Sequence, residues 1–96
     1  MKTRRVMISG KVQGVGFRHW TCQQAGQLGL AGWVRNRSSG DVEACFTGEN
    51  NAVEIMLDRL WKGPGFSKVT AVTLLEGEGD AAGPVPEMDF VRLETL

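Results

Sequence analysis

The sequence predicts an α/β sandwich in which two helices lie on one face of a single sheet. Alternating apolar residues typical of strands recur along the chain, two segments have helical spacing, and these segments follow one another as β-α-β-β-α-β with an additional C-terminal strand. A chain of 96 residues can bury one hydrophobic core, so we expect a single domain over residues 1–96. In chain order, the predicted elements are a strand over 4–13, a helix over 19–28, strands over 30–36 and 42–47, a helix from a cap at residue 51 to residue 62, and strands over 69–76 and 88–94.

The first strand and the first helix follow from two different periodicities. Val6 and Ile8 alternate with polar residues and share one face, which is typical of a half-buried strand. Thr21, Ala25 and Leu28 recur at helical spacing after a glycine-rich turn. The chain therefore changes from strand to helix across that turn.

The next two strands form a predicted hairpin around the turn residues Arg37–Asp41. Val42 and Phe46 share one face of the second of these strands, which leaves Glu43 and Cys45 on the other. We expect the first pair to be buried under the helices and the second pair to face water.

A capping box and an apolar stripe predict the second helix. Asn51 followed by Glu54 three residues later is typical of a helix start, and Val53, Met56 and Leu60 then form a stripe that ends at a Gly-Pro-Gly sequence. A strand, a loop over 77–86 rich in glycine, proline and acidic residues, and a last strand complete the chain.

Both helices cross over between strands that are not neighbours, and right-handed crossovers place them on the same face of the sheet. The prediction is therefore a ferredoxin-like fold, with an antiparallel sheet and its second face open.

Composition narrows the possible functions. Eleven basic and eleven acidic residues give a net charge of zero, which disfavours the broad basic surface of a nucleic-acid-binding protein. No segment approaches the ~18 apolar residues of a membrane span, and the N-terminal segment alternates in polarity, unlike a signal peptide, so we expect a cytoplasmic protein without a membrane partner. His19, Cys22 and Cys45 lack metal-ligand spacing, so we expect no metal, no cofactor and reduced thiols.

The glycine-rich turn is the stretch with the clearest chemistry. Gly14 and Gly16 can adopt positive φ at little cost, so successive N–H groups can converge on an anion, and a helix start adds further free N–H groups. The guanidinium of Arg18 would match phosphate oxygens. Alternatives stay open: the glycines are often simple turn formers, Arg18 could be a solvated surface charge, and Asn36 could bond its own backbone in a turn.

Two longer motifs resemble the signatures of the acylphosphatases. The first is Ile8-x-Gly10-x-Val12-Gln13-Gly14-Val15-x-Phe17-Arg18, and the second is Gly32-Trp33-Val34-Arg35-Asn36-x-x-x-Gly40-x-Val42, followed by Gly48. The resemblance extends from about residue 4 to 92. It implies a ferredoxin-like fold and hydrolysis of small acyl phosphates to a carboxylate and inorganic phosphate.

The resemblance also implies roles for individual residues. Asn36 would orient the attacking water, and Arg18 would bind the phosphoryl group together with the backbone of the turn. The leaving group is a carboxylate whose conjugate acid has a pKa of about 4, so the reaction needs neither a general acid nor a metal. The implied phosphate-binding residues are Gln13, Gly14, Val15, Gly16, Phe17 and Arg18.

Two positions depart from that family's pattern, and one alternative function remains. The turn at Ser38-Ser39-Gly40 lacks the acidic residue often found before the glycine, and Arg92 stands where an aliphatic residue is usual. The alternative is a non-catalytic ferredoxin-like module that binds a phosphorylated metabolite or RNA. RNA is disfavoured because the predicted open face carries no aromatic residue on its first and third strands. We expect a monomer whose partner is a small acyl phosphate, with no nucleic acid bound.

Overall fold

The computed structural model describes residues 1–75 and 89–96 of the chain. The order of elements is the predicted one, and the predicted loop over 77–86 lies outside the described residues, as do Glu76 and Met88 at the predicted ends of the last two strands. The elements are β1 (Lys2–Lys11), α1 (Phe17–Gln27), β2 (Ala31–Asn36), β3 (Val42–Gly48), α2 (Asn50–Lys62), β4 (Lys68–Leu75) and β5 (Phe90–Arg92).

The described strands form one sheet in the order β4-β1-β3-β2-β5. Its first four strands pair antiparallel, as predicted, but β5 pairs parallel to β2, with Val34 opposite Arg92, so the sheet is mixed and not wholly antiparallel. The direction of β4 explains this difference. Since β4 and β3 both run antiparallel to β1, β4 ends at the end of the sheet where β2 begins, and β5 starts from there in the same direction as β2.

Each helix connects two strands that have another strand between them, and both helices pack on one face of the sheet, which confirms the predicted ferredoxin-like fold. Their apolar stripes meet the buried sheet residues in a single cluster. The fully buried contributors are Val6, Ile8, Val34, Val42, Ala44 and Phe46 from the sheet, Val12 just after β1, and Phe17, Ala25, Val53, Met56 and Leu60 from the helices.

The second face of the sheet is less open than predicted. Glu43 and Cys45 are both buried, at 3% and 0% exposure, where the alternation predicted contact with water. The carboxylate of Glu43 accepts hydrogen bonds from Arg5 Nη1 at 2.8 Å and Arg37 Nη1 at 3.3 Å, so the ion pairs compensate its burial. Cys45 lies opposite Trp33 in the neighbouring strand, and that large ring is itself fully buried.

The predicted capping box of the second helix is wrong. Helix α2 begins at Asn50, with Glu49 in extended conformation as its N-cap and no side-chain cap hydrogen bond, so Asn51 already lies in the first turn. The Glu54 carboxylate, the expected partner of Asn51, instead accepts a hydrogen bond from Lys2 Nζ at the start of β1. An ion pair with a neighbouring strand has taken the place of the local cap.

Gly10 lets the end of β1 bend toward the glycine-rich turn. Its φ is 119°, and the register between β1 and β4 shifts between Ser9 and Gly10, which marks a β-bulge. A Cβ atom at Gly10 would lie 2.1 Å from the carbonyl oxygen of Lys68, so no larger residue fits there. The close approach of β4 therefore fixes the direction in which the chain enters the turn.

Candidate active site

The glycine-rich turn has the conformation that the sequence predicts. Gly14 and Gly16 have φ values of 76° and 80°, in the left-handed region, and a Cβ atom on either would meet nothing within 4 Å. The requirement for glycine at both positions is therefore conformational and not a matter of space.

Helix α1 begins at Phe17, two residues earlier than predicted, so Arg18 lies in its first turn. Gly16 is the N-cap and has no side chain to satisfy the free N–H groups. The first intrahelical bond runs from the N–H of Trp20 to the carbonyl of Gly16 at 3.0 Å, so the N–H groups before Trp20 have no acceptor within the helix. The start of α1 therefore presents free donors and the positive end of the helix dipole.

A cavity of about 110 Å³ lies where this helix start meets the end of β2. It brings together Gly14, Gly16, Phe17, Arg18 and Asn36 among the predicted site residues, although Asn36 is far from the turn in sequence. Gln13 and Val15, predicted in the same set, do not line it. Among the described residues, the lining consists of Val12, Gly14, Gly16, Phe17, Arg18, His19, Asn36 and Arg92.

Asn36 owes its place to backbone pairing on both sides of β2. It lies opposite Val42 in β3, and its carbonyl accepts a hydrogen bond from the N–H of Leu96 at 3.0 Å. Within the described part of the chain, no group hydrogen-bonds the half-buried side-chain amide of Asn36, so it does not form the local turn bond left open as an alternative. That amide can therefore bind a molecule in the cavity.

The guanidinium of Arg18 is half-buried and only weakly held by the protein. Its Nη1 donates to the carbonyl oxygen of Leu93 at the long distance of 3.5 Å, and none of the ion pairs among the described residues includes it. Among the described residues that line the cavity, none has a carboxylate. An anion there would meet a positive charge that none of these side chains neutralises.

Gln13 connects the turn to the hairpin that carries Asn36. Its Nε2 donates to the carbonyl oxygens of Arg37 at 2.7 Å and Asp41 at 2.8 Å. The side chain of Gln13 therefore fixes the position of the loop, and only its backbone N–H is left for an anion. Val15, which is half-buried, packs against the hydrophobic core.

Three lining residues were not predicted as site residues. Val12 is buried, His19 is exposed, and Arg92 reaches the cavity from β5. The sequence feature that points to Arg92 is its position two residues after Phe90, because residues two apart in a strand have their side chains on the same face, here the face covered by the helices. Both Arg92 and Arg18 act on Cys22, one turn further along α1: burial raises the pKa of this thiol, and the two guanidinium groups partly oppose the rise.

Residues 1–75 and 89–96 contain neither a metal-binding cluster nor a membrane-spanning helix. No cluster of three or more histidine, cysteine or carboxylate side chains is arranged to hold a metal ion there. No helix in those ranges is long and apolar enough to cross a membrane.

Comparisons with known proteins agree with this geometry. The acylphosphatase family profile matches residues 4–83. An acylphosphatase of Alcanivorax borkumensis is 45% identical over 84 residues, which cover 88% of this chain and 91% of that protein, and one of Nitrobacter hamburgensis is 55% identical over 69 residues, covering 72% and 70%. The crystal structure of acylphosphatase from Bacillus subtilis superposes with a TM-score of 0.84 at 34% identity, covering 97% of this chain and 99% of that one. On the extent of these matches, the chain belongs to the acylphosphatase family.

Proposed function

We propose that this chain hydrolyses the carboxyl-phosphate bond of small acyl phosphates, with Arg18 and the N–H groups of the turn as the phosphoryl site and Asn36 as the residue that orients the attacking water. The reaction is that of its family. The assignment of these roles rests on one observation: a single small cavity joins a weakly held guanidinium, a glycine turn at a helix start and a side-chain amide without a hydrogen-bond partner among the described residues.

The phosphoryl group fits the donors that surround the turn. The fork of Arg18 matches two phosphate oxygens, and the free N–H groups at the start of α1 are available to the same anion, since Phe17 and Arg18 both line the cavity. These donors are fixed before the substrate binds, so they stabilise charge that develops on the phosphoryl oxygens in the transition state. Phosphoryl transfer asks a protein chiefly for such positioning and charge stabilisation.

In the proposed reaction the oxygen of a water molecule attacks phosphorus, and the bond between phosphorus and the acyl oxygen breaks. The electron pair of that bond leaves with the carboxylate. The carboxylate needs no proton, since its conjugate acid has a pKa of about 4. The amide of Asn36 is too weak a base to deprotonate water, so its role is orientation, and the phosphate itself accepts the proton.

The test is the release of inorganic phosphate from benzoyl phosphate by purified protein in the presence of a metal chelator. We expect Arg18→Ala to abolish turnover and Arg18→Lys to fail nearly as badly, because a point charge cannot replace the fork. Arg4→Ala is the matched control, since the Arg4 side chain bonds only the neighbouring carbonyl of Thr3 in β1. Arg18→Ala activity equal to that of the control would refute the assignment.

Asn36 is tested separately by comparing turnover with phosphate inhibition. Asn36→Ala should lower kcat by about 10²-fold or more, while inorganic phosphate still inhibits competitively with a similar constant. Loss of phosphate binding in this variant would contradict the division of roles. Binding without turnover in the unmodified chain would favour a non-catalytic module.

A cytoplasmic location and a monomeric state are proposals that rest on the sequence. Light scattering after size exclusion would test the second, with a mass of 10.5 kDa expected for the monomer.

A further inference from the structure

Arg92 adds a second permanent positive charge to the candidate site. It lines the same cavity as Arg18 but comes from β5, and it is exposed where Arg18 is half-buried. Within the described part of the chain, Arg92 takes part in no hydrogen bond or ion pair through its side chain, whereas Arg5, Arg37 and Arg59 all have such partners. This guanidinium is free at the mouth of the cavity.

The backbone holds Arg92 in that position. Its Cα lies opposite Val34 in the parallel pairing of β5 with β2, and the next residue, Leu93, donates its N–H to the Val34 carbonyl at 2.8 Å. Leu93 also supplies the carbonyl to which Arg18 donates. The edge strand therefore places Arg92 relative to Arg18, even though the Arg92 side chain is solvent-exposed.

The size of the cavity decides which part of a substrate meets Arg92. The cavity volume of about 110 Å³ lies well below the roughly 300–1,000 Å³ of pockets that enclose a whole small-molecule ligand, so the cavity encloses only part of a substrate. The glycine turn and the half-buried Arg18 serve the phosphoryl group. The acyl half must then extend into the mouth, where the exposed side chains of the described lining are those of His19 and Arg92, beside the exposed backbone of Gly14 and Gly16.

We propose that Arg92 is a specificity-determining residue that binds a negatively charged group, such as a carboxylate, on the acyl half of the substrate. The preferred substrates are then acyl phosphates that carry a second anion, and neutral acyl phosphates are hydrolysed less efficiently. This inference rests on the proposed function, because it assigns the phosphoryl group to Arg18 and the turn. A guanidinium matches a carboxylate with two parallel hydrogen bonds, and none of the described residues that line the cavity carries a carboxylate that would compete for it.

The experiment compares two acyl phosphates of equal chain length, succinyl phosphate and butyryl phosphate, which differ in the terminal carboxylate. We expect the wild type to favour succinyl phosphate in kcat/KM, and Arg92→Gln to lower the succinyl-to-butyryl ratio by about three- to tenfold. The loss should appear in KM, because the contact exists equally in the ground state and the transition state. Arg92→Lys should keep part of the preference, and 0.5 M salt should reduce it in the wild type, since the site is exposed.

Arg4→Gln is the matched control, because it removes the same charge from a position on β1 outside the cavity lining. It should leave the ratio unchanged. An equal loss with both substrates in Arg92→Gln would show that Arg92 acts on the shared phosphoryl group and would overturn the proposal. A wild type without preference, or a ratio that Arg92→Gln does not alter, would also overturn it.

Binding separates this inference from the proposed hydrolysis. Acylmethylphosphonates, in which a CH2 group replaces the bridging oxygen, cannot be hydrolysed at that bond, and calorimetry can measure their affinities. Absence of turnover with both acyl phosphates would refute the proposed function. The succinyl methylphosphonate should still bind more tightly than the butyryl methylphosphonate, by a factor that Arg92→Gln removes, and equal affinities would refute the role of Arg92 independently.

Discussion

The conformation of Gly16 makes a quantitative prediction about both stability and phosphate binding. Its φ of 80° and ψ of 20° are left-handed, and a Cβ atom added there would meet no atom within 4 Å. Gly16→Ala therefore tests conformation without a steric clash. The left-handed region costs an alanine about 1–2 kcal/mol, whereas the loss of a glycine makes the unfolded chain less flexible and returns about 0.4–1 kcal/mol.

The net expectation is a loss of about 1 kcal/mol in the free energy of unfolding, which lowers the Tm of a domain of this size by about 4–8 °C. Urea unfolding at pH 7 measures it. The inhibition constant of inorganic phosphate should rise in the same variant, because an alanine that relaxes out of this region turns the loop N–H groups away from the anion. Gly16→Asn should lose less stability and less phosphate affinity than Gly16→Ala, since asparagine tolerates a left-handed backbone conformation better than alanine.

Gly26→Ala is the matched control within the same helix. Gly26 lies inside α1 without positive φ, and a Cβ atom there also meets nothing within 4 Å. The substitution should raise stability by about 0.5–1 kcal/mol and leave phosphate inhibition unchanged. A Gly16→Ala variant as stable as the wild type, or a Gly16→Asn variant that loses as much stability as Gly16→Ala, would contradict the conformational requirement at this position.

Two other sites allow further predictions. Glu43→Gln should lower the free energy of unfolding, measured in urea, by about 1–3 kcal/mol, because Arg5 and Arg37 both lose the carboxylate with which they pair. Water limits this loss, since both arginine side chains are partly exposed. Glu54→Gln, on the surface, should cost much less. The hydrogen bond from Lys2 lowers the pKa of Glu54. The contribution of this ion pair to stability is therefore present above the unfolded-state pKa and is lost as the pH falls through the folded-state pKa. The free energies of unfolding of wild type and Glu54→Gln should accordingly converge in acid. Burial raises the pKa of Cys22, so the rate of its alkylation by iodoacetamide in the native protein should have a pH midpoint above that of a free cysteine. Arg92→Gln should raise this midpoint further, because it removes a charge that lowers the pKa. A midpoint at or below that of a free cysteine would contradict the prediction, and Cys22→Ser is the control.

The features that could be predicted from the sequence are those that depend on neighbouring residues. Alternation located the strands, and two glycines with an arginine located the turn, because a positive φ is a local requirement. Helix α1 begins two residues before the predicted start, because its N-cap is a left-handed glycine and not one of the usual capping residues from which a helix start is predicted. The core face of the sheet followed from the same alternation.

The features that could not be predicted depend on pairing between distant strands. Burial of Glu43 requires Arg5 from β1, and burial of Cys45 accompanies that of Trp33 in β2. Arg92 reaches the cavity because β5 pairs parallel to β2, and no periodicity in the last residues indicates that neighbour. The position of Arg92, which we propose selects the substrate, therefore depends on the strand topology, whereas the position of the proposed phosphoryl site depends on a local sequence motif.

Gln13 connects the local glycine-rich turn to the hairpin, whose position depends on strand pairing. Its side-chain amide bonds the carbonyls at both ends of the hairpin turn, Arg37 and Asp41, which are also joined by a bond from the Arg37 N–H to the Asp41 carbonyl at 2.8 Å. The turn that would hold the phosphoryl group is thus fixed directly to the segment that follows Asn36. A reaction that depends on positioning loses rate steeply when donors and water move apart. In the proposed mechanism, a residue that does not line the cavity therefore sets the distance between the phosphoryl group and the attacking water.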